Sequence, residues 1–347
     1  MTEGKALVRG LASAALVLAF SVSLAASDGG VTTSPVPKGV RLLGGIDWGA
    51  RPDAVIPIVY YPLDWVDIET APNKYGNEEL SKTNKEYGGG KALVDITIRP
   101  LHTNRKRVPN DLMNVAFDDP VMIDRFEKLL DYVFGLMPDA KLLSLVIGSE
   151  MDIFLGTDEK LWKQWETFFK ATSAYARTKR PGLKVASEGT FNGMTGSAKD
   201  YLLELNKSTD VVGVSHYPTG PDFRVQPPSE AKRVFDAVAA LYPGRVIYFY
   251  QLGYPSSPLL DSSEQLQAEF FKEMFRAWDA HADQIKMIKV TWQSDISKEG
   301  VDYWSKFYGL TDQKFMAFLG SLGLQNNDGT DKEAMKTFRA EAHARGW

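Results

Sequence analysis

Short apolar runs rich in Val, Ile and Tyr recur along this chain, and stretches of helical periodicity separate them. The runs fall at 40–46, 56–61, 93–99, 142–147, 184–187, 211–214, 246–250 and 287–291. Alternation of this kind indicates βα units feeding one parallel sheet. Eight such units close a (β/α)8 barrel. At 347 residues, 44% of them hydrophobic and 24% charged, the chain is long enough for a barrel of about 250 residues with elaborated loops.

Two intervening helices have identifiable causes. Pro120 lacks an N–H where none is needed, Asp118 and Asp119 precede it as caps, and Met122, Phe126, Leu129 and Val133 form one apolar stripe. Ser262 with Gln265 makes a capping-box pattern ahead of Leu266, Phe270, Met274 and Trp278. The first joint is awkward, because only nine residues separate the runs at 40–46 and 56–61, fewer than a crossover with its helix needs. Either the first βα unit is degenerate or 40–46 is not a barrel strand. The interval 62–91, with Asn73-Lys74-Tyr75-Gly76 and Gly88-Gly89-Gly90, reads as an elaborated loop and a poor helix.

Lys5 and Arg9 precede an apolar run, 11–20, and small residues follow at 23–26. This pattern predicts a cleavable export signal over 1–26, a Ser/Thr/Pro/Gly-rich spacer over 27–39 and a single barrel domain over 40–347. The competing reading is an uncleaved anchor, but the run is shorter than the roughly 20 residues of a spanning helix. The expected mature protein is secreted or periplasmic, without a membrane span. The absence of cysteine excludes a disulfide framework, a zinc–thiolate site and a cysteine nucleophile, and suits a bacterial exported protein. A net charge of −4 and no basic tract interleaved with aromatics argue against nucleic acid. His102, His281 and His343 show no ligand spacing, so neither a metal nor another cofactor is expected.

In a βα barrel the chemistry sits at the C-terminal ends of the strands. The residues there include Asp47 and Trp48, Tyr61 and Trp65, Arg99, Glu150, Glu188, His216 and Tyr217, Gln251 and Tyr254, and Trp292. Flat aromatic faces suit sugar C–H surfaces, and amide, imidazole, guanidinium and hydroxyl groups suit sugar hydroxyls. Arg99 shares a strand face with Asp95 and Thr97, so an internal Asp95–Arg99 pair competes with substrate contact. His216 competes with a core histidine, Glu188 with an exposed loop residue, and Trp48 and Trp292 with core packing.

The segment Gly148-Ser149-Glu150-Met151-Asp152, with Gln251-Leu252-Gly253-Tyr254-Pro255-Ser256, resembles the TIM-barrel superfamily of retaining glycoside hydrolases. That superfamily includes arabinogalactanases, 1,3-glucanases and many cellulases. The resemblance implies that Glu150 is the acid/base ending the fourth strand and that position 251, ending the seventh, is the nucleophile. Ser149 stands where the superfamily usually has an Asn for the sugar 2-hydroxyl, and Gln251 stands where it has Glu. Ser215-His216-Tyr217-Pro218 and Val290-Thr291-Trp292 resemble its sixth and eighth strands, whose His or Tyr and Trp meet the sugar. Phe307-Tyr308-Gly309-Leu310 and 327–332 resemble its closing segments, which carry no chemistry.

A retaining enzyme needs two carboxyls about 5 Å apart, one of which attacks the anomeric carbon. An amide at 251 keeps the shape of Glu and loses its nucleophilicity. The expectation is therefore a barrel that binds a polysaccharide or oligosaccharide at its C-terminal rim and is impaired in standard hydrolysis, a pseudoenzyme candidate. The first alternative keeps Glu150 as general acid, with a substrate acetamido group or a water activated by Glu188 or Asp47 completing the reaction. The others are a change introduced at 251 to trap a complex, which Ser149 argues against, and a scaffold without sugar chemistry.

Overall fold

Each of the eight apolar runs becomes a parallel barrel strand. The computed structural model describes residues 34–45, 58–90 and 92–347. The strands are β1 (Leu42–Gly45), β2 (Ile58–Asp64), β3 (Leu93–His102), β4 (Lys141–Ser149), β5 (Lys184–Thr190), β6 (Val212–His216), β7 (Ile247–Leu252) and β8 (Ile285–Val290). Each pairs in parallel with its neighbours in chain order, and β1 pairs with β8, so the sheet closes on itself as a (β/α)8 barrel. The doubt over the first unit is resolved for the strand itself. Leu42 pairs with Met287 and Gly44 with Ile58, so β1 is a barrel strand. The link at 46–57, which contains Asp47 and Trp48, lies outside the described residues, as do the expected signal and most of the spacer.

The main helices are α1 (Glu78–Tyr87), α2 (Pro120–Leu136), α3 (Glu159–Lys179), α4 (Lys199–Asn206), α5 (Glu230–Leu241), α6 (Glu264–Ala280), α7 (Lys298–Tyr308), α8 (Gln313–Leu319) and α9 (Glu333–His343). In α2 the Asp119 carboxylate accepts from the Val121 N–H, Pro120 opens the helix, and Met122, Phe126, Leu129 and Val133 are all buried. The α6 cap differs from expectation by one position. Ser263 accepts from the Leu266 N–H, while the Ser262 hydroxyl donates to the Pro255 carbonyl. The interval 62–91 also departs from expectation, since α1 forms there with Asn77 accepting from the Leu80 N–H. That cap was hidden by the surrounding Gly and Asn. No described helix is long and apolar enough to cross a membrane.

Two cores follow from the closed sheet. Between sheet and helices lies a large cluster that includes Phe126, Phe168, Phe235, Phe270 and Trp278. Inside the barrel, Val146, Ala186, Tyr248, Tyr250 and Met287 pack together. Among them Lys289 and Asp95 form an ion pair with both side chains fully buried, and Ser144 donates to the same carboxylate. The Lys289 ammonium lies 3.7 Å from the ring centroid of Tyr60. Asp95 is therefore paired with Lys289, not with Arg99 as the shared strand face suggested. Arg99 instead meets Asp64 at 2.6 Å.

Candidate active site

The ends of β4 and β7 are irregular, and the irregularity aims the side chains. Register shifts occur between Val146 and Ser149 and between Phe249 and Gln251. Such bulges turn a strand and re-aim the residue that follows. Gly148 takes φ +79°, and a Cβ there would lie 2.6 Å from the Trp165 ring. Glu150 itself has φ 50° and Trp292 has φ 55°. Non-glycine residues in this left-handed region are strained, and such strain concentrates at functional sites.

Glu150 is held by two hydroxyls from opposite sides of the mouth. Thr103 Oγ1 donates to its Oε2 at 2.7 Å and Ser215 Oγ donates to its Oε1 at 2.6 Å. Ser215 is the register partner of Gln251 across β6 and β7, which puts Gln251 in the same layer of the mouth. The Gln251 carboxamide is bonded at both ends. Its Nε2 donates to Ser149 Oγ at 3.2 Å and to Glu188 Oε2 at 3.3 Å, and its oxygen accepts from the Tyr217 hydroxyl at 2.9 Å. Tyr217 also meets Thr291 Oγ1 at 2.8 Å. Gln251 is thus oriented by its neighbours, with amide hydrogens towards Glu188 and oxygen towards Tyr217.

Glu188 lies beneath this layer, 1% exposed, and Ser149 Oγ donates to its Oε2 at 2.7 Å. Its Oε1 is buried without a hydrogen-bond partner. Burial, reinforced by the Glu150 charge, pushes its carboxyl up to about 7. A residue so enclosed is not reached from the rim, and Glu188 meets the mouth layer only through its bonds with Ser149 and Gln251.

The remaining expected contacts divide between the two faces of the sheet. Tyr217 and Trp292 pack at the mouth on a rim cluster with Trp304, Tyr308, Phe315 and Phe318. His216 follows the inward-facing Ser215 and therefore points to the helical side, where it meets Phe191 edge-on at 4.9 Å. Tyr254 is buried too, stacked on Phe270 at 4.8 Å, its hydroxyl donating to the Gln226 carbonyl. Both side chains lie away from the mouth, His216 because strand alternation carries it outward and Tyr254 because the chain leaving β7 packs it on α6. Trp65 is likewise buried, donating from Nε1 to Glu69. Arg99 stays inward but is engaged by Asp64.

Several mouth residues escaped the sequence reading. β2 continues through Pro62 to Asp64 and β3 through Pro100 to His102. Both prolines looked like strand ends, although proline is tolerated near the irregular rim of a barrel. His102 Nδ1 lies 3.2 Å from Asp64, and its Nε2 lies 3.3 Å from the Tyr308 hydroxyl. Burial would raise the Asp64 carboxyl, but the bond to His102, the charge of Arg99 and the bond to Arg107 outweigh it and hold the group well below the usual range. Tyr308, expected to be purely structural, thus belongs to the rim site. Among the described residues no group of three His, Cys, Asp or Glu side chains is placed to hold a metal.

The two strand-end histidines are held neutral. Burial, aided by Arg99, lowers His102 to about 4, and burial, aided by Arg233, lowers His216 to about 3. Their unfolded value is about 6.5, so below that pH the unfolded chain takes up protons that the folded chain refuses. Their stabilising contribution is complete above 6.5 and is lost as pH falls towards 3. Glu188 has the opposite sign, because its raised group favours the folded state below about 4.5 and loses that advantage as pH rises through 7. Urea midpoints measured from pH 7 to 4 should therefore fall less steeply for His216→Gln than for the parent. Equal slopes would mean that His216 is not held neutral.

No protein-family model matches the chain, and no curated protein matches it. Solved structures do. A GH5_18 protein from Bifidobacterium longum subsp. infantis aligns with TM-score 0.64 at 12% identity, over 83% of this chain and 70% of that one. The exo-beta-1,4-mannosidase Op5Man5 from Opitutaceae bacterium strain TAV5 aligns with TM-score 0.66 at 16% identity, over 88% of this chain and 59% of that one. Native xylanase10C from Cellvibrio japonicus aligns with TM-score 0.61 at 13% identity, over 93% and 75%. At such identities the likeness is one of fold, and the fold that this chain shares with them is the (β/α)8 barrel.

Proposed function

We propose that this chain is an exported glycoside-hydrolase-type barrel that holds a polysaccharide or oligosaccharide at its C-terminal mouth and does not perform the standard double displacement. The observation that carries this reading is Gln251. It stands in the layer of Ser215, which donates to Glu150, with its own amide donating to Ser149 and Glu188 and its oxygen accepting from Tyr217. A carboxamide fixed in this way offers no nucleophilic oxygen to an anomeric carbon. The partly exposed rings of Tyr217, Trp292, Trp304 and Tyr308 support sugar binding, since aromatic faces pack on sugar C–H surfaces.

The runner-up retains hydrolysis, with Glu150 as general acid and no protein nucleophile. The accessibility of Glu150 between Thr103 and Ser215 favours it, whereas the enclosure of Glu188 counts against the version in which Glu188 activates water. A glycan panel and aryl glycosides, tested on the parent and on Glu150→Gln, separate the readings. Binding without turnover is expected. Turnover by the parent that Glu150→Gln abolishes would overturn the non-catalytic reading in favour of the runner-up, and neither binding nor turnover would leave a scaffold.

A further inference from the structure

A second concavity opens on the same rim, formed by the segments that follow β2, β3 and β4. Its volume is about 460 Å³, within the usual range for small-molecule sites, and its walls include Val66, Arg105, Lys106, Arg107, Met113 and Phe154. Three cations line it and no carboxylate does, on a protein whose net charge is −4. Arg107 is neutralised by Asp64 at 2.7 Å and reaches Asp67 at 3.3 Å. Lys106 donates to the carbonyls of Met113 and Val115, which take two of its three hydrogens and leave its charge. Arg105 is exposed and has no acidic partner among the described residues. Its guanidinium lies 5.2 Å from the ring centroid of Phe307, and that of Arg107 lies at 5.5 Å.

Phe307 belongs to an aromatic face of α7. Tyr303, 60% exposed, stacks on Phe307 at 6.4 Å with an interplanar angle of 23°, and Trp304 stacks on Tyr308 at 5.8 Å and 24°. Tyr308 touches His102, and Thr103 of the same β3 end donates to Glu150. Aromatic platform, uncompensated cations and the Glu150 network are therefore contiguous along the mouth. A neutral glycan meets Arg105 and Lys106 only through its hydroxyls and leaves their charge unanswered, whereas a sugar carboxylate opposes that charge and matches the guanidinium fork.

From this juxtaposition we infer that the glycan held here is anionic, a uronic-acid-containing chain whose carboxylate sits at Arg105 and Lys106 while its rings cross the α7 aromatics. The inference rests on the glycan-binding reading and narrows it. Calorimetric titration of the full chain with oligouronates and with neutral gluco- and manno-oligosaccharides of equal length tests it. Oligouronates should bind about tenfold tighter than neutral chains, which is the scale of one charged hydrogen bond, with an affinity that falls as salt rises. Arg105→Gln should collapse the uronate-to-neutral ratio to near unity, Arg105→Lys should restore part of it, and an unchanged thermal midpoint would show that the variants fold. Equal affinity for both glycans, or a ratio indifferent to Arg105→Gln, would overturn the inference and leave the glycan-binding reading standing. If neither glycan binds, both fall.

Discussion

The double variant Glu188→Gln/Gln251→Glu is expected to cleave aryl glycosides at a rate on the order of a thousandfold above the parent, a typical scale for restoring one member of a catalytic unit. Gln251→Glu alone should gain far less. The difference lies in the Gln251 amide, which donates to Glu188 Oε2 at 3.3 Å and to Ser149 Oγ at 3.2 Å. A carboxylate placed there would face a buried carboxyl already pushed up to about 7 by burial and by Glu150. Two carboxyls at that distance share a proton, so the pair titrates as a unit and is free of that proton only at raised pH. The single variant should show an ascending pH limb displaced to higher pH. Exchanging the two side chains moves the amide to 188, where it donates back to 251 and leaves an ionised carboxylate at 251. If the double variant folds, binds glycan and hydrolyses no faster than the parent, position 251 is not the nucleophile position of this barrel.

Asp95→Asn should destabilise the fold by about 3–5 kcal/mol, the usual consequence of removing one partner from a fully buried ion pair. The Lys289 ammonium is enclosed by Tyr60 and Tyr250, its pair with Asp95 has no exposed side-chain surface, and burial already lowers its pKa against the pull of Asp95. Without Asp95 the nearest opposing charge is Glu188, so the variant should also disturb the layer beneath Gln251. Combining Asp95→Asn with Lys289→Met should cost much less than the sum of the two, because the stranded charge is gone. Urea unfolding of the three variants measures this coupling. A loss below about 1 kcal/mol for Asp95→Asn would mean that the pair contributes little to holding the barrel interior.

Legibility differed between elements for physical reasons. The barrel was readable because its strands are buried on both faces and so appear as near-continuous apolar runs, a local property of sequence. Glu150 was readable for the same cause, as the first carboxylate after such a run. Where each strand stops was less readable. Pro62 and Pro100 resemble terminators, yet the strands pass through them and present Asp64 and His102 at the mouth. Which face a side chain takes was not readable either. Ser215, not His216, points inward, and a register shift in β7 is needed to bring Gln251 onto the same layer.

The order of apolar runs, the amide at 251 and the acid at 150 are written in the chain itself, because each depends on residue type and near neighbours alone. The arrangement of partners around them is decided only on closure of the sheet. Thr103, Glu188 and Ser215 come from three separate parts of the chain, and hydrogen bonds short enough to orient Glu150 and Gln251 arise only when curvature and bulges bring those parts together. The same closure turns Arg105 towards the α7 aromatics, with Phe307 202 positions away in sequence and a single ring contact away in space.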